Sequence, residues 1–334
     1  MTVLLYSGLF LLSVVVTLGG CALFTNAIEW LGKRFNLSEG AVGSVLAALG
    51  TTLPETSIPV IAIFFGTGRE QTEVGLGAIL GAPFMLSTLV IPILAVLLAV
   101  FGRLGVRGYT FHLNYRDVIV DLWFFAVAYS VAIACVFVPF RLIHGAAAAG
   151  LVMLYLYYVM LKFGESDEEV GEGGIEPLIF GKTSSTPSYA MIGLQGVIGL
   201  MGLILGARLF ITAAETIAAT LAMSPLILSL LVAPLATELP EMSNSFLWLY
   251  RKKDRLAVGN VTGAMVFQGT FPVSVGLLGT EWALRPNVLI TMVLAVIAAS
   301  SCLLQATWGD HWRPWLLRGS ALLYIGYAVY LYSW

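Results

Sequence analysis

Charged residues are scarce in this sequence. Only 11% of its 334 residues are Asp, Glu, Lys or Arg, whereas 59% are hydrophobic, and the mean hydropathy is +0.91. Soluble globular domains carry about 25% charged residues, so this composition excludes a soluble fold. The formal net charge of −2 gives no reason to expect a nucleic-acid partner. The chain is predicted to lie in a lipid bilayer.

Cysteine and histidine are also rare, with three of each in the whole chain. All three cysteines lie in apolar stretches without metal-site spacing, and we expect the histidines to be solvated in loops or at the ends of apolar stretches (His112, His144 and His311). No cofactor and no soft-metal site are therefore expected. Because no apolar stretch carries a histidine beside a nucleophile, an intramembrane enzyme is disfavoured.

Long apolar stretches are abundant. Runs of at least about 18 residues, enough to cross the hydrocarbon core, recur near residues 3–31, 40–66, 74–101, 118–139, 145–162, 189–219, 225–249, 256–279, 287–305 and 314–333. They are continuous, whereas membrane β-barrels need short alternating segments. The sequence predicts an all-α membrane protein with about ten transmembrane helices.

The basic residues predict the orientation of these spans. Of the 17 Lys and Arg, 13 fall in the set of loops that includes Lys33 and Arg34, and three fall in the opposite set. Since inner loops carry the excess of positive charge, both termini are predicted to lie outside. We expect a multi-pass protein of the plasma membrane, with a single chain as the functional unit.

The chain divides into two similar halves. Residues 165–188 form the only long polar break and are typical of a flexible acidic linker, which separates residues 1–164 from residues 189–334. A shift of 186 residues lays Glu55 on Glu241 and matches both the surrounding Thr-x-Leu-Pro-Glu motif and the pair Glu29 and Glu215. With five predicted spans in each half, the copies must enter the membrane from opposite sides, as in inverted-repeat transporters.

The repeated motif places oxygen atoms in the membrane. It runs from Thr51 to Glu55 and from Thr237 to Glu241. Its proline removes a helical hydrogen bond and frees a carbonyl about four residues earlier, so we expect a broken helix whose backbone faces protein or a water-filled cavity. Threonine and glutamate four residues apart share a helix face. Each half thus offers a carboxylate, a hydroxyl and carbonyl oxygens.

These groups suit a hard cation. Ca²⁺ takes six to eight oxygen ligands, and a carboxylate at mid-membrane costs at least about 2.5 kcal/mol, which a bound ion would offset. The predicted metal ligands are Glu55, Glu241 and Glu238, the last of which lies three residues before Glu241. Asn260 could add a carbonyl oxygen. The alternative is that these carboxyl groups are protonated or hydrogen-bonded structural groups.

Other polar and small residues are open to simpler interpretations. Glu29 and Glu215 could each sit at a helix end beside water, and Asp121 has no counterpart in the other half, so we expect it to start a helix. The glycine pairs Gly77 with Gly81 and Gly259 with Gly263 have the spacing that lets membrane helices pack closely.

The repeated Thr-x-Leu-Pro-Glu motif and the glycine pairs that follow it resemble the α-repeats of the calcium/cation antiporter superfamily. This superfamily comprises the sodium/calcium exchangers and their prokaryotic relatives. The family pattern is Gly-Thr-Ser-Leu-Pro-Glu followed by Gly-Asn-x-x-Gly-Ser-Asn. The resemblance implies that Glu55 and Glu241 are central Ca²⁺ ligands, that residues 3–31 and 189–219 slide to alternate access, and that further oxygens come from other positions. These positions are Thr51, Thr237 and Asn260. The sequence offers Thr52, Ala48, Pro234 and Glu215 as further candidates.

Several departures from the family pattern concern the coupling ion. Ala78, Ala82 and Ala264 replace polar residues of the pattern, and Glu238 stands where the pattern has Ser or Thr. Repulsion between Glu238 and Glu241 favours a proton on one of them, so H⁺ is supported at least as well as Na⁺. The predicted function is exchange of Ca²⁺ or a similar divalent cation for Na⁺ or H⁺ by alternating access. A passive cation channel and an antiporter of another cation and protons are the alternatives.

Overall fold

The computed structural model describes residues 2–65, 69–164, 176–181, 187–220, 238–308 and 312–332. Within these residues every regular element is helical. The α-helices are α1 (Thr2–Arg34), α2 (Glu39–Ala41), α3 (Ala48–Phe64), α4 (Arg69–Met85), α5 (Ile91–Arg103), α6 (Tyr115–Val136), α7 (Arg141–Gly164), α8 (Tyr189–Thr220), α9 (Leu239–Tyr250), α10 (Asp254–Gly279), α11 (Pro286–Trp308), α12 (Pro314–Gly319) and α13 (Ala321–Tyr332). Two π-helices, Val42–Ala47 and Leu86–Val90, continue directly into α3 and α5.

Seven helical segments of the described chain are long and apolar enough to cross a membrane. They are Leu5–Arg34, Gly75–Arg103, Tyr115–Val136, Arg141–Gly164, Tyr189–Gly206, Asp254–Gly279 and Pro286–Trp308. The prediction of an all-α membrane protein is confirmed. The count of ten spans, the division at residues 165–188 and the inverted arrangement of the halves stay predictions.

The outer helices expose apolar side chains. On α1, Leu11 and Val15 are each 67% exposed, and on α7 Leu142 is 86% exposed. Such a surface would be unfavourable in water but suits contact with lipid chains, where the hydrophobic effect does not drive these side chains inward.

Helix α10 forms the centre of the bundle. Of its 26 residues, 21 are buried, and it packs against α3, α4, α6, α7, α9 and the first π-helix. Gly259 and Gly263 make this possible, because a Cβ atom on Gly263 would lie 2.0 Å from the carbonyl oxygen of Ser44 and one on Gly259 would lie 3.0 Å from its Oγ. These two residues fit the predicted packing role. Gly77 does not, since a Cβ atom there would meet open space.

Helices α1 and α8, which the repeat predicts to correspond to each other, are in close backbone contact. A Cβ atom on Gly20 would lie 2.6 Å from the backbone nitrogen of Leu203, and one on Gly206 would lie 2.2 Å from Thr17 Oγ1. Only glycine allows this approach. Helix α1 also touches α3, because a Cβ atom on Gly50 would lie 2.5 Å from the ring of Phe24.

Glu29 ties α1 to α9 and is not a solvated helix end. It is 5% exposed, and its carboxylate accepts a hydrogen bond of 2.8 Å from Trp248 Nε1 and pairs with the Lys253 ammonium. A buried carboxylate with two such partners is satisfied as a structural group. Its counterpart Glu215 lies in α8, and the side chain of Glu215 is outside the described part of the structure.

Part of the predicted flexible linker is packed against the bundle. The carbonyl oxygen of Glu176 accepts hydrogen bonds from Asn26 Nδ2 at 3.2 Å and Trp30 Nε1 at 3.0 Å, and Leu178 is fully buried. The backbone nitrogen of Phe180 donates to Gln195 Oε1 at 3.0 Å. Residues 176–181 therefore bridge α1 and α8, because an apolar side chain and satisfied backbone groups favour docking over solvation.

We expect Gly263→Ala to destabilise the protein. The added methyl group would overlap the Ser44 carbonyl and force α10 away from the first π-helix, at a cost of about 1–3 kcal/mol. Thermal unfolding of the purified protein in detergent measures the effect. Gly77→Ala is the matched control and should leave the unfolding temperature unchanged or raise it, since alanine favours a helix. Equal behaviour of the two variants would contradict the assigned contact.

Candidate cation-binding site

The second motif begins helix α9. Glu238 occupies the N-cap position with φ −81° and ψ 1°, and Pro240 lies in the first turn, where its missing N–H costs no hydrogen bond. The carboxylates of Glu238 and Glu241 are both fully buried. Residues 221–237 lie outside the described part of the chain, so Thr237 and Pro234 are not placed.

The first motif lies within α3, which continues through Pro54. The broken helix expected here is therefore wrong. The irregular backbone lies earlier, in the π-helix Val42–Ala47, and π-helical turns are often found at functional sites. A continuous helix does not restore the missing bond, because proline lacks an N–H and leaves the carbonyl of Gly50 without its helical donor.

The hydroxyl groups of the first motif point back along their own helix. Thr51 Oγ1 donates to the carbonyls of Ala47 and Ala48, both at 3.1 Å, and Thr52 Oγ1 donates to Ala48 at 2.8 Å. Ala48, Thr51 and Thr52 are all buried. Glu55 follows one turn after Thr51 in α3, and its side chain is outside the described part of the structure.

Two amide side chains of α10 hold α9 in register. Asn260 Nδ2 donates to the Glu241 carbonyl and to Ser245 Oγ, each at 3.0 Å, and Gln268 Nε2 donates to Glu238 Oε1 at 3.0 Å. The later residue on α10 meets the earlier residue on α9, so the two helices run antiparallel. These bonds hold Asn260 against the backbone of Glu241. Asn260 also lies between Gly259 and Gly263, the glycines of α10 that contact the first π-helix.

Three amides in this region retain buried atoms that form no hydrogen bond within the described residues. These atoms are Asn260 Oδ1, Gln268 Oε1, and both Nδ2 and Oδ1 of Asn244. Leaving a buried polar group unsatisfied costs about 1–3 kcal/mol. A cation bound among these groups would satisfy the oxygen atoms, since amide oxygens are ligands of hard cations.

Asn244 and Gln268 are absent from the candidates that the sequence predicts. Asn244 follows Glu241 by three residues on α9, so the two side chains lie on neighbouring parts of one helix face, and Asn244 is fully buried. The signal that could have revealed both is an uncharged amide in an otherwise apolar stretch. The helical periodicity of a sequence does not show which neighbouring helix such an amide side chain faces.

The two described histidines lie apart from these residues in the sequence: His112 is exposed, as expected, and His144 lies in the first turn of α7, whereas His311 lies outside the described part of the chain. Among the described residues, no group of three or more His, Cys, Asp and Glu is placed to hold a metal ion. His144 is buried, contrary to expectation, and its Nε2 lies 3.0 Å from the Cys135 carbonyl. Packing of the start of α7 against the end of α6 removes this ring from water.

Asp121 forms a second buried ionic cluster and does not start a helix. It lies in the second turn of α6 and is 1% exposed. Its carboxylate accepts from Lys162 Nζ at 2.8 Å, Tyr158 at 3.0 Å, Ser44 at 2.9 Å and Thr262 at 2.6 Å. This network joins α6, α7, α10 and the first π-helix, so it fixes the crossing beside Asn260.

Lys162→Met should destabilise the protein strongly. It would leave Asp121 as a buried charge without its cation, which costs about 3–5 kcal/mol. Thermal unfolding measures this loss, and Lys252→Met, which removes an exposed lysine, is the control. Adding Asp121→Asn to Lys162→Met should recover part of the loss. A Lys162→Met protein as stable as the control would show that the pair contributes nothing.

The all-helical fold and the buried carboxylates of α9 define a multi-pass membrane transport protein. The chain belongs to the sodium/calcium exchanger protein family, whose model matches residues 5–164 and 193–333. The resemblance read from the motifs is confirmed. Members of this family are cation antiporters, so the chain is a transporter and not an enzyme, as the sequence predicted.

Two relatives match most of the chain, and a third matches less than half of it. Uncharacterized membrane protein MJ0091 of Methanocaldococcus jannaschii is 23% identical over 271 residues, covering 81% of each chain. Inner membrane protein YrbG of Escherichia coli is 21% identical over 312 residues, covering 91% of each chain. Putative antiporter CaxA of Alkalimonas amylolytica is 28% identical over 146 residues, covering 41% of this chain and 44% of its own.

Solved structures share the fold. NCX_Mj, a sodium-calcium exchanger, soaked with Na⁺ and Sr²⁺ matches with a TM-score of 0.74 at 22% identity over 97% of each chain. The same exchanger soaked without Na⁺ and Ca²⁺ gives a TM-score of 0.75 at 21% identity. At this identity, the likeness establishes the fold alone.

Proposed function

We propose that this protein exchanges Ca²⁺, or a similar divalent cation, for Na⁺ or H⁺ by alternating access. The ion would bind between α3 and α9, with Glu55 and Glu241 as its charged ligands. The observation that carries this proposal is the fully buried Glu241 carboxylate in a membrane bundle of the exchanger family. The Glu241 backbone carbonyl accepts a hydrogen bond from Asn260, and Asn260 and Asn244 each keep a buried side-chain oxygen that no described residue satisfies.

Charge balance supports a divalent ion. Two carboxylates carry two negative charges, which a bilayer interior tolerates only when they are neutralised. Hard cations of charge two prefer carboxylate, hydroxyl and amide oxygens, and these are the groups of the site. Glu55 and Glu241 supply these two charges, and Glu238 is the third candidate metal ligand. Neutral oxygens come from Thr51, Thr237, Asn260 and Asn244. Thr52, Ala48, Pro234 and Glu215 complete the candidates.

Competition for the same carboxylates gives the exchange mechanism. A divalent ion and its counter-ions cannot occupy the site together, so one must leave before the other binds. The pair of α1 and α8 is suited to control access, because its two backbones are in contact at Gly20 and α1 covers Gly50 through Phe24. Displacing α1 would also break the bonds that Glu29 makes to Trp248 and Lys253.

The similar proteins give independent support for this function. CaxA is named as a putative antiporter, and NCX_Mj is a sodium-calcium exchanger that was soaked with Na⁺, Ca²⁺ or Sr²⁺. We place this chain in the plasma membrane with both termini outside, on the distribution of its basic residues, and take one chain as the transport unit.

Replacing either charged ligand should abolish exchange. In proteoliposomes, Glu55→Gln and Glu241→Gln should each lower the initial rate of radiolabelled Ca²⁺ uptake by at least about tenfold, because affinity for Ca²⁺ depends on the number of ligand charges. Glu281→Gln, which alters an exposed glutamate, is the matched control. Uptake by both site variants at the control rate would refute the assignment.

A second measurement shows whether Na⁺ or H⁺ is exchanged for Ca²⁺. Repulsion between Glu238 and Glu241 supports H⁺ at least as well as Na⁺, so Ca²⁺ added outside vesicles should release protons even without a Na⁺ gradient if H⁺ is exchanged. Proton release is followed with a pH-sensitive dye, and Glu238→Ser should reduce it. Transport that strictly requires Na⁺ would exclude the proton.

A further inference from the structure

We propose that Asp121 is a positioning residue for the ion site, because one oxygen of its carboxylate ties the first π-helix to α10. Asp121 sets the affinity for the divalent cation without contacting the ion. This role rests on the proposed exchange function, and it belongs to a carboxylate that lies outside both repeated motifs.

The two oxygens of the Asp121 carboxylate have different partners. Oδ1 pairs with Lys162 Nζ at 2.8 Å and accepts from the Tyr158 hydroxyl at 3.0 Å, both on α7. Oδ2 accepts from Ser44 Oγ at 2.9 Å and from Thr262 Oγ1 at 2.6 Å. Hydrogen bonds to a charged oxygen are stronger than those between neutral groups. One oxygen is thus fixed to α7, and the other holds the first π-helix and α10.

Lys162 balances the charge of Asp121 within the protein. The side chains of Lys162 and Asp121 are each 1% exposed, and Lys162 Nζ also donates to the backbone carbonyl of Asp117 at 3.3 Å. A buried carboxylate with an ammonium partner and hydrogen bonds on both oxygens is satisfied. Asp121 therefore serves as an anchor and not as a ligand of the transported ion.

Ser44 connects this anchor to the helix of the first motif. Ser44 is buried in the π-helix Val42–Ala47, which continues directly into α3 and so to Thr51. The hydrogen bonds of a π-helix span five residues, whereas those of an α-helix span four. The extent of the π-helix therefore sets the direction in which the side chains of α3 point, and the bond from Ser44 to Asp121 holds the π-helix in place.

The Thr262 hydroxyl has two acceptors within reach. Its Oγ1 lies 2.6 Å from Asp121 Oδ2 and 3.1 Å from the Val258 carbonyl of its own helix. A hydroxyl carries one proton to donate, and the closer, charged acceptor forms the stronger bond. The Thr262 proton therefore belongs to the contact with Asp121.

Thr262 connects the anchor to the helix of the second motif. It lies on α10 two residues after Asn260, whose Nδ2 donates to the Glu241 carbonyl at 3.0 Å. The next residue, Gly263, lies against the first π-helix, because a Cβ atom there would be 2.0 Å from the Ser44 carbonyl oxygen. One buried helix thus joins the anchor to the backbone of Glu241.

This connection sets the spacing of the ion ligands. Helix α10 packs against both α3 and α9, which carry the two motifs. Ca²⁺ needs its oxygen ligands at roughly 2.3–2.6 Å, so a small shift of α3 relative to α9 weakens binding. The charged ligands themselves remain, and the site still fills at high Ca²⁺. Loss of the anchor therefore raises the KM for Ca²⁺ more than it lowers the maximal rate.

The test compares three variants of α10. Thr262→Val keeps the shape and removes the hydroxyl, Thr262→Ser keeps the hydroxyl, and Thr270→Val removes a buried hydroxyl that bonds to carbonyls of its own helix. Radiolabelled Ca²⁺ uptake into proteoliposomes is measured over a range of Ca²⁺ at fixed Na⁺ and pH gradients. Thr262→Val should raise the KM about three- to thirtyfold and change the maximal rate less than about twofold. Thr262→Ser and Thr270→Val should match the native protein.

A double variant tests whether the two hydroxyls act through the same oxygen. Ser44→Ala should also raise the KM for Ca²⁺, and it takes the place of Thr262→Val if that variant aggregates. Because loss of either bond already separates the first π-helix from α10, Ser44→Ala with Thr262→Val should raise the KM little further than the larger single effect. Effects that multiply in the double variant would contradict a shared anchor.

Ca²⁺ binding without transport separates positioning from general stability. Ca²⁺ that binds the folded protein raises its unfolding temperature in detergent. Thr262→Val should need about three- to thirtyfold more Ca²⁺ than the native protein for the same rise, whereas Thr262→Ser and Thr270→Val should not. A Thr262→Val protein that unfolds at a lower temperature but keeps the native Ca²⁺ dependence would show that the anchor is structural only, and would overturn the proposal.

Failure of this role is distinguishable from failure of the exchange function. A native KM in both Thr262→Val and Ser44→Ala would overturn the positioning role, while Glu55→Gln and Glu241→Gln still abolish uptake. Normal uptake by those two glutamine variants would instead refute the exchange function. The Ca²⁺-dependent rise in unfolding temperature would then still test whether the anchor governs Ca²⁺ binding.

Discussion

The absence of water inside a bilayer is the constraint on which this structure depends. A charged or polar side chain there must find its partner within the protein or in a bound ion. The helix bundle contains polar groups with partners in the protein and polar groups without a partner among the described residues. Asp121 is surrounded by an ammonium group and three hydroxyls, whereas Asn244, Asn260 and Gln268 retain buried atoms that no described residue satisfies. The first cluster supports the scaffold, and the second group surrounds the candidate ion site.

Helix α10 connects these two groups of residues. Its glycines allow contact with the backbone of Ser44, and its Thr262 donates a hydrogen bond to Asp121. The side-chain amides of Asn260 and Gln268 hold α9, the helix that carries the second motif. One almost fully buried helix therefore contacts the first π-helix and holds the start of α9, which carries the second motif. Precise placement of ligands matters because a cation site discriminates ions by ligand number, charge and geometry.

Much of this protein could be predicted from sequence because the signals are local or repeated. Apolar runs predicted the helical membrane protein, and the repeated Leu-Pro-Glu motif indicated the family through Glu55 and Glu241. Other inferences were wrong where a residue type has several uses. Pro54 predicts a break, yet α3 continues through it. Asp121 is expected to start a helix, yet it lies buried within α6.

The sequence by itself determined the membrane class, the repeated Leu-Pro-Glu motif and the acidic residues within the apolar stretches, since length, hydropathy and repetition are properties of the chain alone. Only the tertiary structure decided which helices face one another. Thr262 and Asp121 are 141 positions apart, and Gln268 and Glu238 are 30 positions apart. Helical periodicity predicts the face on which a side chain lies but not the helix opposite, so the partner of each buried polar group depends on how the bundle packs.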